Sequence, residues 1–124
     1  MKNRKSLKAG IIQFDVKLGD IKSNLDMVSE RIKFLGIQTA DMAVLPEMFS
    51  CSFDNERLRD HAEETPAILE RLSQAAVEHQ IIISGSLPEV SGKDVFNTLY
   101  VIDKDGSLAG SYRKVHLFPL TEET

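Results

Sequence analysis

Three short apolar runs alternate with two segments of helical periodicity over the first two thirds of the chain. The runs lie at 9–14, 42–45 and 81–86, and apolar residues recur at spacings of three and four within 20–36 and 65–79. Short apolar runs bounded by turn residues are typical of buried strands, whereas spacings of three and four are typical of helices. Strands that alternate with helices form parallel βα units. The pattern therefore predicts an α/β fold.

Residues suited to helix ends flank both helical segments. Asp20 is predicted to cap the first helix, because its carboxylate can accept amide hydrogens of the first turn. Gly36 is predicted to be the left-handed residue that ends this helix. Thr65 is predicted to cap the second helix, with Pro66 at its first position and His79 near its end.

The remaining segments predict a loop and a hairpin region. The stretch 48–64 mixes aromatic and charged residues and predicts an irregular loop with about one helical turn. Turn residues at 91–94 and 103–106 bound two further strands, at 96–102 and 108–113. We expect these strands to join the same sheet in antiparallel fashion.

Composition and charge exclude several classes of partner. The chain has 124 residues, of which 42% are hydrophobic and 27% charged, and its formal net charge is −4. This composition is typical of one globular domain. Lysine and arginine are scattered among acidic residues, so no basic patch is available for phosphate backbones or anionic lipid. We therefore expect neither nucleic acid nor a membrane as a partner.

The first residues and the cysteine content bear on the cellular compartment. The basic start at 1–5 is followed by an apolar stretch that Gln13 and Asp15 interrupt, which is too short for a signal peptide. We therefore expect a cytoplasmic protein. Cys51 is the single cysteine, which rules out an internal disulfide.

No pair of histidines has metal-ligand spacing near a carboxylate or thiol, so we predict no metal and no cofactor.

Glu47 and Lys114 are the candidate site residues, and the residues alone leave two interpretations open. Glu47 follows a buried strand, where α/β folds place ligand and catalytic groups. A solvated or salt-bridged carboxylate fits the same position. Lys114, beside Arg113 near a strand end, is equally compatible with a solvated charge.

The cysteine and the histidines have simpler interpretations. Cys51 is expected to be a small buried hydrophobe. His61 and His79 lie in helical or near-helical surroundings and are expected at the surface or at an interface. His116 shares the predicted strand face of Lys114 and is expected to support the local structure.

Two segments resemble, in the same order, the first two catalytic signatures of the nitrilase superfamily of carbon–nitrogen hydrolases. They are Leu45-Pro46-Glu47 and the sequence Tyr-Arg-Lys-Val-His-Leu-Phe at 112–118. Further segments are similar to the family's first strand, its first-helix entry and its segment before the lysine strand, namely 9–13, Gly19-Asp20 with Asn24, and 96–98. The hairpin and the 114–118 region resemble the ω-amidase-like branch more than the aromatic nitrilases.

The resemblance implies a chemistry for the two candidate residues. Glu47 would be the general base and Lys114 the cationic partner in a Glu-Lys-Cys triad that hydrolyses small amides or nitriles. A carboxylate can deprotonate the attacking thiol. An ammonium group can stabilise the negative charge of the tetrahedral intermediate.

The family's nucleophilic cysteine and a second assisting glutamate lie beyond the lysine motif, and 1–124 contains neither. We therefore expect 1–124 to be a partial carbon–nitrogen hydrolase domain that lacks the C-terminal portion with the nucleophile and is inactive alone. The alternative is a non-catalytic binding or assembly module on the same scaffold. A chance likeness of an unrelated α/β domain is the third possibility.

The family fold is a four-layer α-β-β-α sandwich, and this chain would form its N-terminal part. One face of the sheet would then lack its cover, because the second sheet comes mostly from the absent portion. A whole sheet face of contiguous apolar surface is unusual on a soluble monomer. We therefore expect a homo-oligomer or a complementary C-terminal fragment as partner, besides a small amide substrate.

Overall fold

The computed structural model of the chain describes residues 6–114. Five strands and three helices follow one another as β1 (Ala9–Ile11), α1 (Ile21–Ile37), β2 (Met42–Val44), α2 (Leu58–Glu63), α3 (Thr65–His79), β3 (Ile82–Ser91), β4 (Asp94–Ile102) and β5 (Leu108–Arg113), with a 3-10 turn at Asn55–Arg57. The strands form one sheet in the order β1-β2-β3-β4-β5. The first three are parallel, and the last two are added as antiparallel neighbours. The predicted α/β fold and the predicted hairpin addition are confirmed.

The core lies between one face of the sheet and the two long helices. Apolar side chains of α1 and α3 recur at helical spacing, which gives each helix one apolar side. That side packs on buried residues of the strands, and the other side faces solvent. The members of this core include Val28, Ile32, Leu72, Ala76, Ala43, Ile83, Leu87 and Ile102. A second, smaller cluster of Met48, Cys51, Leu58 and Ala62 packs against Val95 near the tip of the β3–β4 hairpin.

The opposite face of the sheet exposes large apolar side chains on β1, β4 and β5. Strand pairing places Ile11 beside Val44 and Leu99 beside Tyr112 on this face. Ile11 is 72% exposed, Leu99 41% and Tyr112 58%, although all three are large apolar or aromatic residues. The open face expected from the sequence is therefore present in the part of the chain that the structure describes.

The two ends of α1 differ in how well the sequence predicts them. Asp20 caps the helix as predicted, since its Oδ1 accepts a hydrogen bond of 3.1 Å from the Ser23 amide. The prediction for Gly36 is wrong, because the helix continues to Ile37 and the left-handed residue beyond it is Thr39, with φ 58°. A β-carbon on Gly36 would lie 3.0 Å from the β-carbon of His79, so this glycine permits close packing of α1 on α3.

The predicted extent of α3 is confirmed, but the predicted cap is wrong. The residue before the helix is Glu64, which is itself helical, because α2 runs almost directly into α3. Thr65 instead donates its hydroxyl hydrogen to the Pro88 carbonyl at 2.6 Å, which attaches the start of α3 to β3. The segment 48–64 is also more regular than predicted, since it contains α2 and the 3-10 turn.

No helix within residues 6–114 combines the length and the apolar character that crossing a membrane requires.

Candidate active site

Glu47 lies in the turn that follows β2, beside the neighbouring strand β3. The Leu45 amide still donates to the Ser84 carbonyl at 2.8 Å, so the chain leaves the sheet only at the residues just before Glu47. Met48 then adopts a left-handed conformation with φ 52°, and its amide donates to Ser86 Oγ at 2.9 Å. A left-handed conformation is unfavourable for a residue with a side chain. The buried hydrogen bond to Ser86 therefore helps to hold this turn and the glutamate within it.

Further buried contacts hold the loop after Glu47. The side chain of Asn24, on α1, donates to the carbonyls of Lys17 at 2.8 Å and Ser50 at 2.9 Å. Nε2 of His61 lies 2.9 Å from Asp54 Oδ2. These contacts join the loop to the start of α1 and to α2. The loop that follows Glu47 is therefore held rigidly in place.

Asn97, on β4, contacts both candidate residues. Its Nδ2 donates to Glu47 Oε2 at 2.6 Å, and its backbone carbonyl accepts from the Lys114 amide at 3.0 Å. The second of these bonds continues the β4–β5 pairing one residue beyond Arg113. Asn97 is only 3% exposed, so it provides a fixed point between the carboxylate and the end of β5.

The Lys114 ammonium donates a hydrogen bond to the same oxygen, Oε2 of Glu47. The two residues are 67 positions apart in the chain, and the sheet brings them together. This hydrogen bond, followed by that from Asn97, lowers the pKa of Glu47 below its ordinary value, while partial burial acts in the opposite sense. Glu47 is therefore ionised at neutral pH, which is the state in which a carboxylate can accept a proton.

A cavity of about 280 Å³ opens beside this pair. Its walls are mostly apolar but include hydroxyl, amide and charged groups. They are formed by Val44, Leu45, Glu47, Ser84, Gly85, Ser86, Asn97, Leu99, Tyr112 and Lys114. Cavities that bind small molecules are commonly apolar with a few convergent polar groups. The arrangement can hold a small molecule with its polar end near Glu47 and Lys114.

Cys51 is close to Glu47 in sequence but is not exposed to this cavity. It is fully buried, in the cluster with Met48 and Leu58, which confirms the prediction of a buried hydrophobe. Burial, together with the nearby charge of Asp54, raises the pKa of the thiol to about 11. A thiol in this state is a poor nucleophile at neutral pH, because the thiolate is the reactive form.

The predictions for the histidines have three different outcomes. His61 is 3% exposed within the single chain and interacts with Asp54, so the prediction that it lies at the surface or at an interface is wrong. The cause is α2, which turns this residue inward. His79 is partly exposed beside Gly36, as predicted for a surface residue of α3. His116 lies outside the described residues. Within residues 6–114, no group of three or more His, Cys, Asp or Glu side chains is arranged to hold a metal ion.

The sequence pattern did not single out Asn97 and Ser86 as site residues. Both are uncharged residues within strands. Asn97 belongs to the segment 96–98 that resembles the family, but the resemblance assigned it no role at the site. Their importance comes from the pairing of β3, β4 and β5, which places them beside Glu47 and Lys114. Two signals pointed toward Asn97: the likeness of 96–98 to the family's segment before the lysine strand, and the alternation of side chains along β4. The second signal required the strand register to be known.

Comparison with known proteins adds a family to this geometry. The family model described as Carbon-nitrogen hydrolase matches residues 8–124. The chain is 33% identical over 114 residues to a 2-oxoglutaramate amidase of Bacillus subtilis, covering 90% of this chain and 44% of that protein. It is 35% identical over 116 residues to an omega-amidase of Xenopus tropicalis, covering 91% of this chain and 41% of that protein. The chain thus spans less than half the length of these curated relatives.

Solved structures agree with the fold. The chain resembles the amidase NitN from Nesterenkonia sp. AN1 with a TM-score of 0.81 at 24% identity, over 91% of this chain and 46% of that one. A cysteine-to-alanine variant of an amidase from the same organism, in complex with butyramide, gives a TM-score of 0.82 at 24% identity, over 94% of this chain and 46% of that one. The predicted nitrilase-like fold class is therefore confirmed. By its sequence and its fold, the chain belongs to the carbon–nitrogen hydrolase family of the nitrilase superfamily.

Proposed function

We propose that this chain supplies the general base, Glu47, and the cation, Lys114, of a Glu-Lys-Cys hydrolase that cleaves the carbon–nitrogen bond of a small amide. One observation carries the proposal: Glu47 Oε2 accepts hydrogen bonds from both Lys114 and the buried Asn97, at the side of a cavity. A solvated carboxylate at a strand end needs neither partner. The cysteine of the triad would come from the portion of the family domain that follows the lysine motif.

In the proposed reaction, Glu47 takes the proton of the thiol as its sulfur attacks the amide carbon. The carbonyl oxygen becomes negatively charged, and the Lys114 ammonium stabilises it. The carbon–nitrogen bond then breaks, and the proton held by Glu47 passes to the leaving nitrogen. Glu47 next removes a proton from water, which attacks the thioester. The carbon–sulfur bond breaks, the acid leaves, and the proton held by Glu47 returns to the sulfur to restore the thiol.

The pairing of Glu47 with Lys114 has a consequence for this scheme. A lowered pKa keeps Glu47 in its basic form, but it also makes proton transfer from a thiol unfavourable. If Lys114 turns from the carboxylate to the developing oxyanion, Glu47 loses its strongest stabilising partner and becomes a better base. The Lys114 ammonium would thus stabilise first the Glu47 carboxylate and then the oxyanion of the tetrahedral intermediate.

The substrate class proposed is a small amide. The cavity of about 280 Å³ is small and mostly apolar, with Lys114 as its only cationic lining residue within the described part of the chain. The similarity to a 2-oxoglutaramate amidase and an omega-amidase supports an amide over a nitrile. We also retain a cytoplasmic location as part of the proposal, to be checked by cell fractionation.

The open face of the sheet supports a proposed partner. Ile11, Leu99 and Tyr112 expose apolar surface on the same face as Glu47. Burial of such surface is favourable by about 25 cal/mol for each Å². We propose that a second copy of the chain or a complementary C-terminal fragment covers it.

The first measurement is the mass of the protein as its native source makes it, detected through peptides that contain Glu47 and Lys114. A mass well above 13.9 kDa means that the native protein extends beyond 1–124. Ammonia release from small amides is then measured for it and for E47Q and K114A. We expect each variant to lose activity by about 10²-fold or more.

The control variant is D26N, because Asp26 forms an exposed ion pair with Lys22 on α1, away from the cavity. Full activity in E47Q and K114A would contradict the proposed roles. A mass of 13.9 kDa, without ammonia release in the presence of binding partners, would favour the binding or assembly module.

A further inference from the structure

The strand that ends just before Lys114, β5, is the most exposed strand of the sheet. Every residue of β5 is exposed, and β5 lies at the edge, paired only with β4. At its end, a single backbone hydrogen bond of 3.0 Å joins the Lys114 amide to Asn97. A lysine side chain also loses much rotational freedom when it is held in one place. Additional contacts are therefore needed to keep Lys114 against Glu47.

Glu89 provides such contacts through the neighbouring residue, Arg113. Oε1 of Glu89 accepts from Arg113 Nε at 2.9 Å, and Oε2 accepts from a terminal guanidinium nitrogen at 2.9 Å. Thr98 also donates its hydroxyl hydrogen to Oε1 at 2.7 Å. Because Glu89 is on β3, Thr98 on β4 and Arg113 on β5, one carboxylate connects three adjacent strands.

The guanidinium group of Arg113 has one more partner. It lies over the ring of Phe96, 4.2 Å from the centroid, which adds a cation–π contact. The Glu89 side chain is 29% exposed and that of Arg113 is 45% exposed, so the pair is partly shielded from water. Two-pronged pairing of arginine with a carboxylate fixes geometry as well as distance.

Arg113 and Lys114 are consecutive residues of an extended segment, so their side chains point to opposite faces of the sheet. A rotation of the strand end that moved Lys114 away from Glu47 would also break the two hydrogen bonds between Arg113 and Glu89. We propose that Glu89 is a positioning residue: by holding Arg113 on one face of the sheet, it holds the Lys114 ammonium against Glu47 on the other. Its importance for catalysis rests on the proposed function.

The test uses nuclear magnetic resonance to follow the titration of the Glu47 carboxyl carbon in the chain and in E89Q. Release of Lys114 removes the main cause of the lowered pKa of Glu47, so this pKa is expected to rise in E89Q. A purely electrostatic effect has the opposite sign. Loss of the negative charge of Glu89, which leaves Arg113 unneutralised, would lower the pKa of Glu47.

A second variant, R113K, keeps the charge but cannot form the two-pronged pair. We expect the pKa of Glu47 to rise in this variant as well. The control is D26N, which removes one negative charge from an exposed ion pair on α1 and should leave the Glu47 titration unchanged. Amide spectra verify that each variant is folded, and if one variant fails to fold, the other decides.

A rise in the pKa of Glu47 in every folded variant of the Glu89–Arg113 pair supports the inference. An unchanged or lowered pKa in either folded variant overturns it. The titration does not depend on turnover, so it can be separated from the proposed function. If E47Q and K114A kept full activity while the titrations behaved as expected, the function would fail and the positioning role would stand.

Discussion

Glu47 accepts hydrogen bonds from two donors that differ in charge and in freedom of movement. Asn97 is buried within a strand, whereas the Lys114 side chain is 55% exposed at the end of an edge strand. The neutral, fixed donor orients the carboxylate. The charged and more exposed donor responds to whether Glu47 carries a charge.

The first prediction concerns pH. Because the pKa of Glu47 is lowered in the folded chain, its ionised form stabilises the fold above the ordinary pKa of 4.5, and this contribution is lost as pH falls below that value. The free energy of unfolding in urea, measured from about pH 7 to about pH 3, is therefore expected to fall more steeply for the chain than for E47Q. In a K114A background the difference should become smaller. A difference between the chain and E47Q that is constant with pH would contradict the pairing.

The second prediction concerns Cys51. With a thiol pKa of about 11, only about one molecule in ten thousand is in the thiolate form at pH 7. Labelling by a thiol-reactive dye is therefore expected to be slow in the native chain and fast after unfolding in urea. The single cysteine makes the measurement unambiguous. Equal rates in the two states would show that the thiol is accessible.

The third prediction concerns Ser86, whose hydroxyl oxygen accepts a buried hydrogen bond from the Met48 amide, beside Glu47. The variant S86A leaves this amide without its acceptor, and the fold is expected to lose about 1–3 kcal/mol. The control is S111A, because Ser111 is an exposed residue of β5. Urea unfolding of both variants makes the comparison. Equal stabilities would mean that the turn after Glu47 does not depend on this hydrogen bond.

At the scale of elements, close contact between β3 and the segment after β2 determines where Glu47 lies. A β-carbon on Gly85 would lie 2.9 Å from the β-carbon of Leu45 and 2.9 Å from a ring carbon of Phe49. These two residues flank Glu47 on either side, and Phe49 is fully buried. The absence of a side chain at Gly85 therefore allows the segment with Glu47 to approach the sheet.

The fourth prediction follows from this contact. G85A is expected to destabilise the fold by about 1–3 kcal/mol, because Leu45 and Phe49 have to move to accept the added methyl group. Gly110 is also within a strand, but a β-carbon there would meet nothing within 4 Å, so G110A is the matched control. G110A should be neutral or stabilising by up to about 1 kcal/mol. Thermal unfolding of both variants provides the measurement, and a fully stable G85A would contradict the close approach.

At the scale of the whole molecule, the sheet is covered by long helices on one face and is open on the other. Leu99 and Tyr112 are paired neighbours on the open face, and Leu99 also lines the cavity. The proposed covering partner and the proposed active site therefore involve the same side of the sheet. A partner that covers this face would also change the access of water to Glu47 and Lys114.

The fifth prediction tests whether the open face associates. The chain is expected to sediment as a species larger than a monomer or, as a monomer, to bind an apolar dye. L99K should reduce whichever effect is observed, because it places a charge on the open face of the sheet. Phe34 is 57% exposed on α1, so F34K changes an exposed apolar residue on the helical side and serves as control. A monomer without dye binding would contradict the proposed pairing.

Several parts of the structure were predictable because they depend on local interactions. The run 42–45, the spacing of apolar residues in α1 and α3, and the Asp20 cap all follow from properties of neighbouring residues. The predictions of the Thr65 cap and the Gly36 terminus also used only neighbouring residues, and they were wrong because contacts with distant residues decide both positions. Thr65 bonds to Pro88 and Gly36 packs on His79, and both partners are distant in sequence.

The sequence by itself determined the α/β class, the order of the elements and, through its resemblance to a family, the two candidate site residues, Glu47 and Lys114. These properties depend on periodicity and on short motifs, which are written in consecutive residues. Only the tertiary structure decided that Lys114 reaches Glu47, that Asn97 contacts both, and that Ser86 holds the turn after Glu47. The physical reason is that strand pairing joins residues many positions apart, and its register depends on the packing of the whole sheet.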